Sequence, residues 1–481
     1  MSASQSSEDV ECCIVGAGPA GLAAGLELAR HGVSSILVLD RHPIVGGLAR
    51  TETFDGARFD VGPHRFFTKN AEINALWHNL LGSDFVPVDR VTRILFNKQL
   101  FNYPIAARDV LTKLGWSESL KAMLSYLHAQ LARRHEPKTF EEWVVAKFGW
   151  KLYRIFFKTY TEKVWGIPCS QIDARWAAQR IKGLDLRAAI KNALFPGGEK
   201  IKTLVERFHY PVRGAGQMYE AMAERIVKRG GRVRLGCTVV AVHRDGNRVR
   251  ALEVEEKGGQ RFLVTAQRFF SSMPITLFFK AVVPAESHAV LEAANTLYYR
   301  EHITVNLRID GTNHFPDQWI YVHAPEVKMA RLANYNNFSP AMVSTPGKTG
   351  VSVEYFTFQN EDLWKLSNEQ LKSLACDELD QVQLVPRQAI EEAWVVRETE
   401  SYPTYYLAYE EHFERLRRRL DEFENVAPIG RGGMYKYNNQ DHSTLTGLLA
   451  ARNYLKLPGS PYNVWNVNID AEYHESGKAT D

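Results

Sequence analysis

Apolar and polar positions alternate along the chain in two textures, and their order predicts the architecture. Val10 to Val15 is a short apolar run rich in β-branched residues, and Ser35 to Leu39 is a second. Between them Leu22 to His31 has helical spacing, so the chain opens as strand, helix, strand, with both strands buried in a parallel sheet. Residues 107 to about 200 then carry helical patterning with many aromatics, in DVLTKLGWSESLKAMLSYLHAQLARR and EEWVVAKFGWKLYRIFFKTYTEKVW. From 209 a turn and a helix lead into strands at Val233 to Leu235 and Thr238 to His243, returning to the opening fold. HITVNLRI, QWIYVH and GVSVEYF, between 300 and 357, alternate as strands of an antiparallel sheet. A glycine-rich turn and the apolar helix TLTGLLAARNYL close the pattern between 427 and 455. The expected fold is α/β: a doubly wound domain (10–106, 207–299 and 395–460), an inserted helical lobe (107–206), an antiparallel sheet wall (300–394), and a disordered polar tail (1–9).

The first strand and helix are joined by Gly16, Gly18 and Gly21, the G-x-G-x-x-G spacing. It provides a tight turn, bare backbone against a pyrophosphate, and close helix-on-strand packing. The helix directs its N-terminal amides at the phosphates, and Pro19 and Ala20 at its start are expected cofactor contacts as well. Asp40 ends the second strand where a carboxylate bonds a ribose hydroxyl, with Arg41 beside it. A backbone group near Val239 or Val240, in the returning segment, is placed to hold an adenine. Gly46-Gly47-Leu48-Ala49-Arg50 resembles the second glycine motif of FAD enzymes of the glutathione-reductase and amine-oxidase type, which favours FAD over NAD.

At 481 residues the chain suits two or three parts sharing one cofactor. A net charge of +4 implies neither a nucleic-acid nor a membrane-surface partner, and Arg133-Arg134-His135 and Arg417-Arg418-Arg419 read as solvated helix faces. No apolar run is long enough to span a bilayer, and residues 1–9 do not form a signal peptide. The five cysteines, Cys12, Cys13, Cys169, Cys237 and Cys376, form no C-x-x-C pair, so no disulfide framework or metal site is expected and the natural compartment is the cytoplasm. H-E-x-x-H, Walker A and G-x-S-x-G patterns are absent.

Seven separated stretches together resemble the flavin-dependent UDP-galactopyranose mutases, more the eukaryotic type than the bacterial, within the wider amine-oxidase and protoporphyrinogen-oxidase superfamily. They are GGLARTETFDGARFDVGPHRFF, FNYP, YTEKVWGIP, WAAQRI with LRAAIKNAL, FHYPVRGAG, WIYV followed by ARLANYNNFSP, and GRGGMYKYNNQDHS. The resemblance implies a glutathione-reductase-like FAD fold and a redox-neutral reaction. Reduced flavin N5 attacks the anomeric carbon of a nucleotide sugar, and the ring recloses between pyranose and furanose forms. NADPH or NADH is the implied reductant, and an oligomer is possible.

The resemblance carries over to individual residues. Arg331 and Arg431 match two diphosphate arginines, a role that suits a planar fork which stays protonated. Tyr321, Tyr402 and Tyr435 or Tyr437 match tyrosines that bond the diphosphate. Tyr103, Tyr160, Trp165 and Arg180 match other substrate positions, and His64 the histidine beside flavin N5. Gly430, Asn439, Gln440, Asp441 and Ser443 match the turn beside the isoalloxazine and ribityl chain, and Arg90 and Thr92 the nicotinamide contacts. Two departures stand out: Pro63 replaces a small residue before His64, and Ile105, Ala106 and Thr161 replace polar positions of the base pocket. A site that has lost those groups points to a different base, a different sugar or a shifted ligand.

Two other readings compete. An oxidase or desaturase of the amine-oxidase kind fits the shared GPH stretch and the helical lobe, and leaves two diphosphate arginines without a role. A flavin-holding protein without turnover needs neither arginine.

Overall fold

The computed structural model describes residues 6–103, 109, 112–132, 136–174, 207–312 and 314–468. Two large sheets organise it. The first has eight strands, with Ser7–Val15 at its centre, parallel to Ile36–Asp40 on one side and to Arg261–Ser271 on the other. Arg232–Leu235 extends it past Ile36–Asp40 in parallel, so the segment after 209 does return to the opening unit. On the far side Cys237–Asp245, Arg248–Glu256 and Arg261–Ser271 form an antiparallel meander.

The opening strand has three more residues than its apolar run. Ser7, Glu8 and Asp9 pair with Leu263, Val264 and Thr265, so the end of the expected disordered tail is ordered by backbone bonds that polar side chains do not disturb. The helix spans Pro19–Arg30 and starts three residues before its first periodic leucine, because proline is tolerated where no intrahelical amide is needed. Cys12 and Cys13 are both fully buried on opposite faces of the sheet, and burial pushes both thiols up.

Pro19–Arg30 is clasped by the C-terminal helix Gln440–Leu455. A Cβ on Gly447 would lie 2.0 Å from the Ala20 carbonyl oxygen, so only glycine allows this approach. Both helices begin at the same end of the sheet, and their N-termini become one wall of the site.

The second sheet runs Ile390–Pro403, Tyr299–Asp310, Lys348–Thr357, Arg331–Asn334, Trp319–Val322, Thr92–Phe96, Gln99–Asn102. It is antiparallel except where Trp319–Val322 runs parallel to Thr92–Phe96. Thr92–Phe96 and Gln99–Asn102 belong to this sheet and not to the nucleotide-binding one, and Ile390–Pro403 runs continuously through the boundary expected at 394. Ile303, Val305, Ile320, Leu332, Val351 and Val353 share one apolar core with the helix Asn368–Gln381. The period of two sends their neighbours to the other face, which is the face of the site.

The described part of the helical lobe comprises Trp116–Leu131, Phe140–Tyr153, a π-helical turn Arg154–Lys158 and Thr159–Trp165.

Candidate functional site

Two clefts meet between the sheets. The first is lined by Gly16, Gly18, Pro19, Ala20, Asp40, Arg41, Gly47, Leu48, Ala49 and Val239, and further along by Gly430, Asn439, Gln440 and Ser443. Its floor is bare backbone. Gly16 has φ +105°, and a Cβ there would lie 1.9 Å from the Ser272 hydroxyl. A Cβ on Gly21 would strike the Gly16 carbonyl at 1.8 Å, so Gly21 serves packing and does not line the cleft. Gly18 and Gly47 face each other, a Cβ on Gly47 reaching to 3.2 Å from the Gly18 Cα. Two glycine motifs therefore leave a slot without side chains, closed by the N-termini of two helices, which suits a dinucleotide pyrophosphate. These residues fit a flavin dinucleotide.

Asp40 has a second task. Its Oδ2 accepts the Ala17 amide at 2.6 Å and its Oδ1 the His42 amide at 2.8 Å, so the carboxylate braces the glycine turn from within the cleft wall. Arg41 pairs with Glu400 at 3.2 Å. Val239 lines the cleft, whereas Val240 is the extra residue of a β-bulge between Val239 and Ala241 and does not.

His64, Arg431, Asn439 and Gln440 line both clefts and mark their junction. Val61 to Arg65, Tyr103, Phe140, Phe156, Phe157 and Tyr160 wall the second cleft, with Trp165, Trp319, Tyr321, Arg331, Tyr402 and Tyr437. Alternation explains its strand residues: Trp319, Tyr321 and His323 are two apart and point one way. Phe156 and Phe157 come from the π-helical turn, a distortion that re-aims side chains.

Two arginines are held there by different means. Arg331 stands in register with Glu354 on the next strand, donating to it from Nε at 2.7 Å and Nη2 at 2.5 Å. His302 Nε2 meets the same carboxylate at 2.8 Å. Burial pushes Glu354 up, but Arg331 and His302 outweigh it and hold the carboxyl at about 2. Burial disfavours the Arg331 charge, and Glu354 more than offsets that. Arg431 has no carboxylate at ion-pair distance among the described residues. It donates to the backbone carbonyls of Asn438 at 3.0 and 2.9 Å and of Ser401 at 3.2 Å, and lies 5.0 Å over the Tyr402 ring and 4.9 Å over Tyr437. Glu354 thus pairs with Arg331, while Arg431 is held by backbone carbonyls and aromatic rings.

His64 Nε2 lies 2.9 Å from the Leu48 carbonyl, which accepts only, so Nε2 carries the proton and Nδ1, without a hydrogen-bond partner among the described residues, is an acceptor site in the neutral ring. Burial lowers its pKa, the Leu48 contact opposes this and Arg431 and Arg331 add to it, leaving about 4. Burial raises Tyr160 and Tyr402, so both phenols keep their protons.

Other expected residues fall elsewhere. Tyr435 is buried in the core behind the first sheet, its hydroxyl 2.8 and 3.0 Å from the carbonyls of Tyr298 and Thr404, which share its one proton, so Tyr437 alone of that pair faces the cleft. Thr92 is buried in its strand and lines neither cleft. Arg90 donates to the Tyr103 carbonyl at 3.2 Å. Asp441 lines the second cleft, as does Thr161, while Arg180, Ile105 and Ala106 lie outside the described residues. The sequence reading did not find Glu354, His302, Trp319 or His323. His323 is buried and stacks 4.9 Å from Tyr160, its Nδ1 has no hydrogen-bond partner among the described residues, and burial with Lys163 nearby lowers it to about 3. Only its place two residues beyond Tyr321 signals it.

Over 168 residues the chain is 30% identical to a "Probable UDP-galactopyranose mutase" of Klebsiella pneumoniae, covering 34% of this chain and 42% of that protein. It is 25% identical over 257 residues to a neurosporene-forming phytoene desaturase of Rhodobacter capsulatus, 48% of this chain and 47% of that one. The matches thus span less than half the length of either relative. The fold is shared with a crystal structure of reduced UDP-galactopyranose mutase at a TM-score of 0.82 and 19% identity, over 96% of this chain and 98% of that one. A family model described as flavin containing amine oxidoreductase matches residues 19–452. That match covers most of the chain, and the chain belongs to the flavin-containing amine oxidoreductase family.

Proposed function

We propose that the chain is a redox-neutral nucleotide-sugar mutase that interconverts pyranose and furanose forms at a reduced FAD. The observation that carries this reading is the convergence of Arg331 and Arg431 on an aromatic cleft that meets the dinucleotide cleft at His64. When bound in its reduced form, FAD supplies a nucleophilic N5 for the anomeric carbon, with no net change in substrate oxidation state.

The chain's own residues do the rest. Gly16, Gly18, Pro19 and Ala20 hold the cofactor pyrophosphate, Asp40 and Arg41 its ribose, and Val239 its adenine. Leu48, Ala49, Gly430, Asn439, Gln440 and Ser443 hold the flavin end. Arg331 and Arg431 bind the substrate diphosphate and stabilise the charge that grows on it as the anomeric bond breaks. The hydroxyls of Tyr321, Tyr402 and Tyr437 donate to the same oxygens. Glu354 and His302 fix the Arg331 fork before substrate arrives, so little reorganisation accompanies bond breaking. His64 Nδ1 accepts a hydrogen bond at the junction. The aromatic walls exclude water from a sugar with an open ring. NADPH or NADH is the proposed reductant, with Arg90 as a contact.

A second reading has its own support. The apolar wall of Phe140, Phe156, Phe157 and Trp319, with the desaturase relative, suits an oxidoreductase acting on an apolar substrate. One experiment separates the two: the dithionite-reduced protein is mixed with UDP-galactopyranose and other nucleotide sugars, and pyranose and furanose products are resolved. Interconversion is expected. Its absence with every nucleotide sugar tested, while the flavin stays reduced, rejects the mutase reading.

A further inference from the structure

The helix Trp116–Leu131 is built the wrong way round for a lobe that ends in water. The face it packs against the lobe consists of Ser119, Ala122, Tyr126 and Ala129, mostly small residues. The neighbouring helix comes so close that a Cβ on Gly149 would lie 2.6 Å from the Ser125 carbonyl oxygen. Its large apolar side chains point outward: Trp116, Leu120, Met123, Leu124, Leu127 and Leu131 are between 47% and 87% exposed. At 100° per residue these six fall within an arc of about 100°, the width of a stripe that normally faces a core. Glu118, Lys121, Ser125 and His128 occupy a separate polar arc. Isolated exposed leucines need no explanation, whereas a continuous stripe about 22 Å long at 1.5 Å per residue marks a contact surface.

Charge indicates what covers it. Residues 107–206, the whole lobe, hold eighteen Lys and Arg against ten Asp and Glu, an excess of eight, whereas the chain as a whole is only +4. The modest overall charge, which by itself implies no membrane partner, therefore hides a basic lobe, and that lobe carries the stripe. A second copy would oppose one basic lobe to another, and a nucleic acid has no use for a row of leucines. A basic lobe that presents a row of leucines and a tryptophan matches a surface with anionic headgroups over hydrocarbon. Trp150 on the adjacent helix is also 47% exposed, with Arg154 5.7 Å from its ring. No helix among the described residues is long and apolar enough to cross a membrane, so such a contact lies in the interface plane.

We infer that the outer face of Trp116–Leu131 seats the protein peripherally on an anionic lipid bilayer. The same lobe supplies Phe140, Phe156, Phe157 and Tyr160 to the second cleft, so this seating holds that cleft close to the membrane surface. The inference does not depend on which reaction the cleft performs.

The test is sedimentation of the full-length protein with phosphatidylcholine vesicles, with and without phosphatidylglycerol, at low and high salt. At least tenfold stronger partitioning onto the anionic vesicles is expected, weakened by salt, with a blue shift of tryptophan emission. Leu124→Glu with Leu127→Glu is expected to lower partitioning at least tenfold at unchanged flavin content and thermal unfolding. Absence of partitioning, equal partitioning onto both vesicle types, or an undiminished double variant overturns the inference. So does a concentration-dependent dimer that the double variant abolishes, which would make a second copy the occupant. The comparison of vesicles and salt stands even if the variant fails to fold.

Discussion

Arg331 and Glu354 stand opposite each other on adjacent antiparallel strands and close a two-bond fork, 2.7 and 2.5 Å long, in the wall of the second cleft. Glu354 is fully buried and also meets His302. The pair orients one guanidinium at a fixed place while the other, on Arg431, rests on carbonyls and aromatic rings. The two arginines therefore answer differently to mutation.

Removing Glu354 strands a buried charge. Glu354→Ala is expected to lower the unfolding free energy by about 3 kcal/mol, because breaking one side of a buried ion pair costs more than the pair contributes. Glu354→Gln, which keeps an acceptor for the fork, should lose less. Urea unfolding midpoints decide it, and an unchanged midpoint in the alanine variant contradicts the account.

Arg431 allows a cleaner functional test, since no buried carboxylate depends on it. Arg431→Ala is expected to change stability by less than about 1 kcal/mol while weakening UDP binding to the reduced protein by about 2 kcal/mol, roughly thirtyfold. Arg431→Lys should recover part of this, lacking the fork. Calorimetric titration with UDP checks both; equal affinity in all three proteins contradicts a diphosphate role.

His64 gives a pH dependence with a definite sign. Its folded pKa of about 4 lies below the ordinary 6.5, so its stability contribution is complete above pH 6.5. That contribution is lost as pH falls through 4, because the unfolded chain takes the proton first. His64→Gln should flatten the fall in stability between pH 6.5 and 4. A steeper fall in the variant than in the parent would reverse the assignment.

Gly447 tests how the cleft is built. Gly447→Ala places a methyl 2.0 Å from the Ala20 carbonyl oxygen and must push the C-terminal helix off its partner. A loss of about 1–3 kcal/mol is expected. Because both helices present their N-termini to the dinucleotide, flavin retention on desalting should fall with it. Full retention would uncouple the helix contact from the cofactor.

The dinucleotide cleft was legible from Gly16 to Asp40 because its chemistry is local: each glycine answers to a neighbour within a turn or to a ligand. The second cleft was legible only through resemblance to whole motifs. Glu354 reaches Arg331 by strand register across a separation of 23 residues, and His302 reaches Glu354 across 52, which no local spacing encodes. Tyr435 and Tyr437 are two apart and would share a face on a strand. Tyr435 has φ +46°, and the turn there sends one into the core and the other to the cleft. Val240 does not line the cleft, because a bulge shifts the register there by one residue. Asp40 was read as a ligand contact alone because its two backbone partners form only once the glycine turn has folded.

The central claim is that the flavin here turns over sugar rings without passing electrons to or from them. The most direct measurement is anaerobic stoichiometry: protein reduced once, excess reductant removed, a nucleotide sugar added, and product counted against reduced flavin by its absorbance. The account predicts many isomerised molecules per flavin with the spectrum still reduced. One product per flavin with the spectrum reoxidised, or turnover only with oxygen and release of hydrogen peroxide, would contradict it.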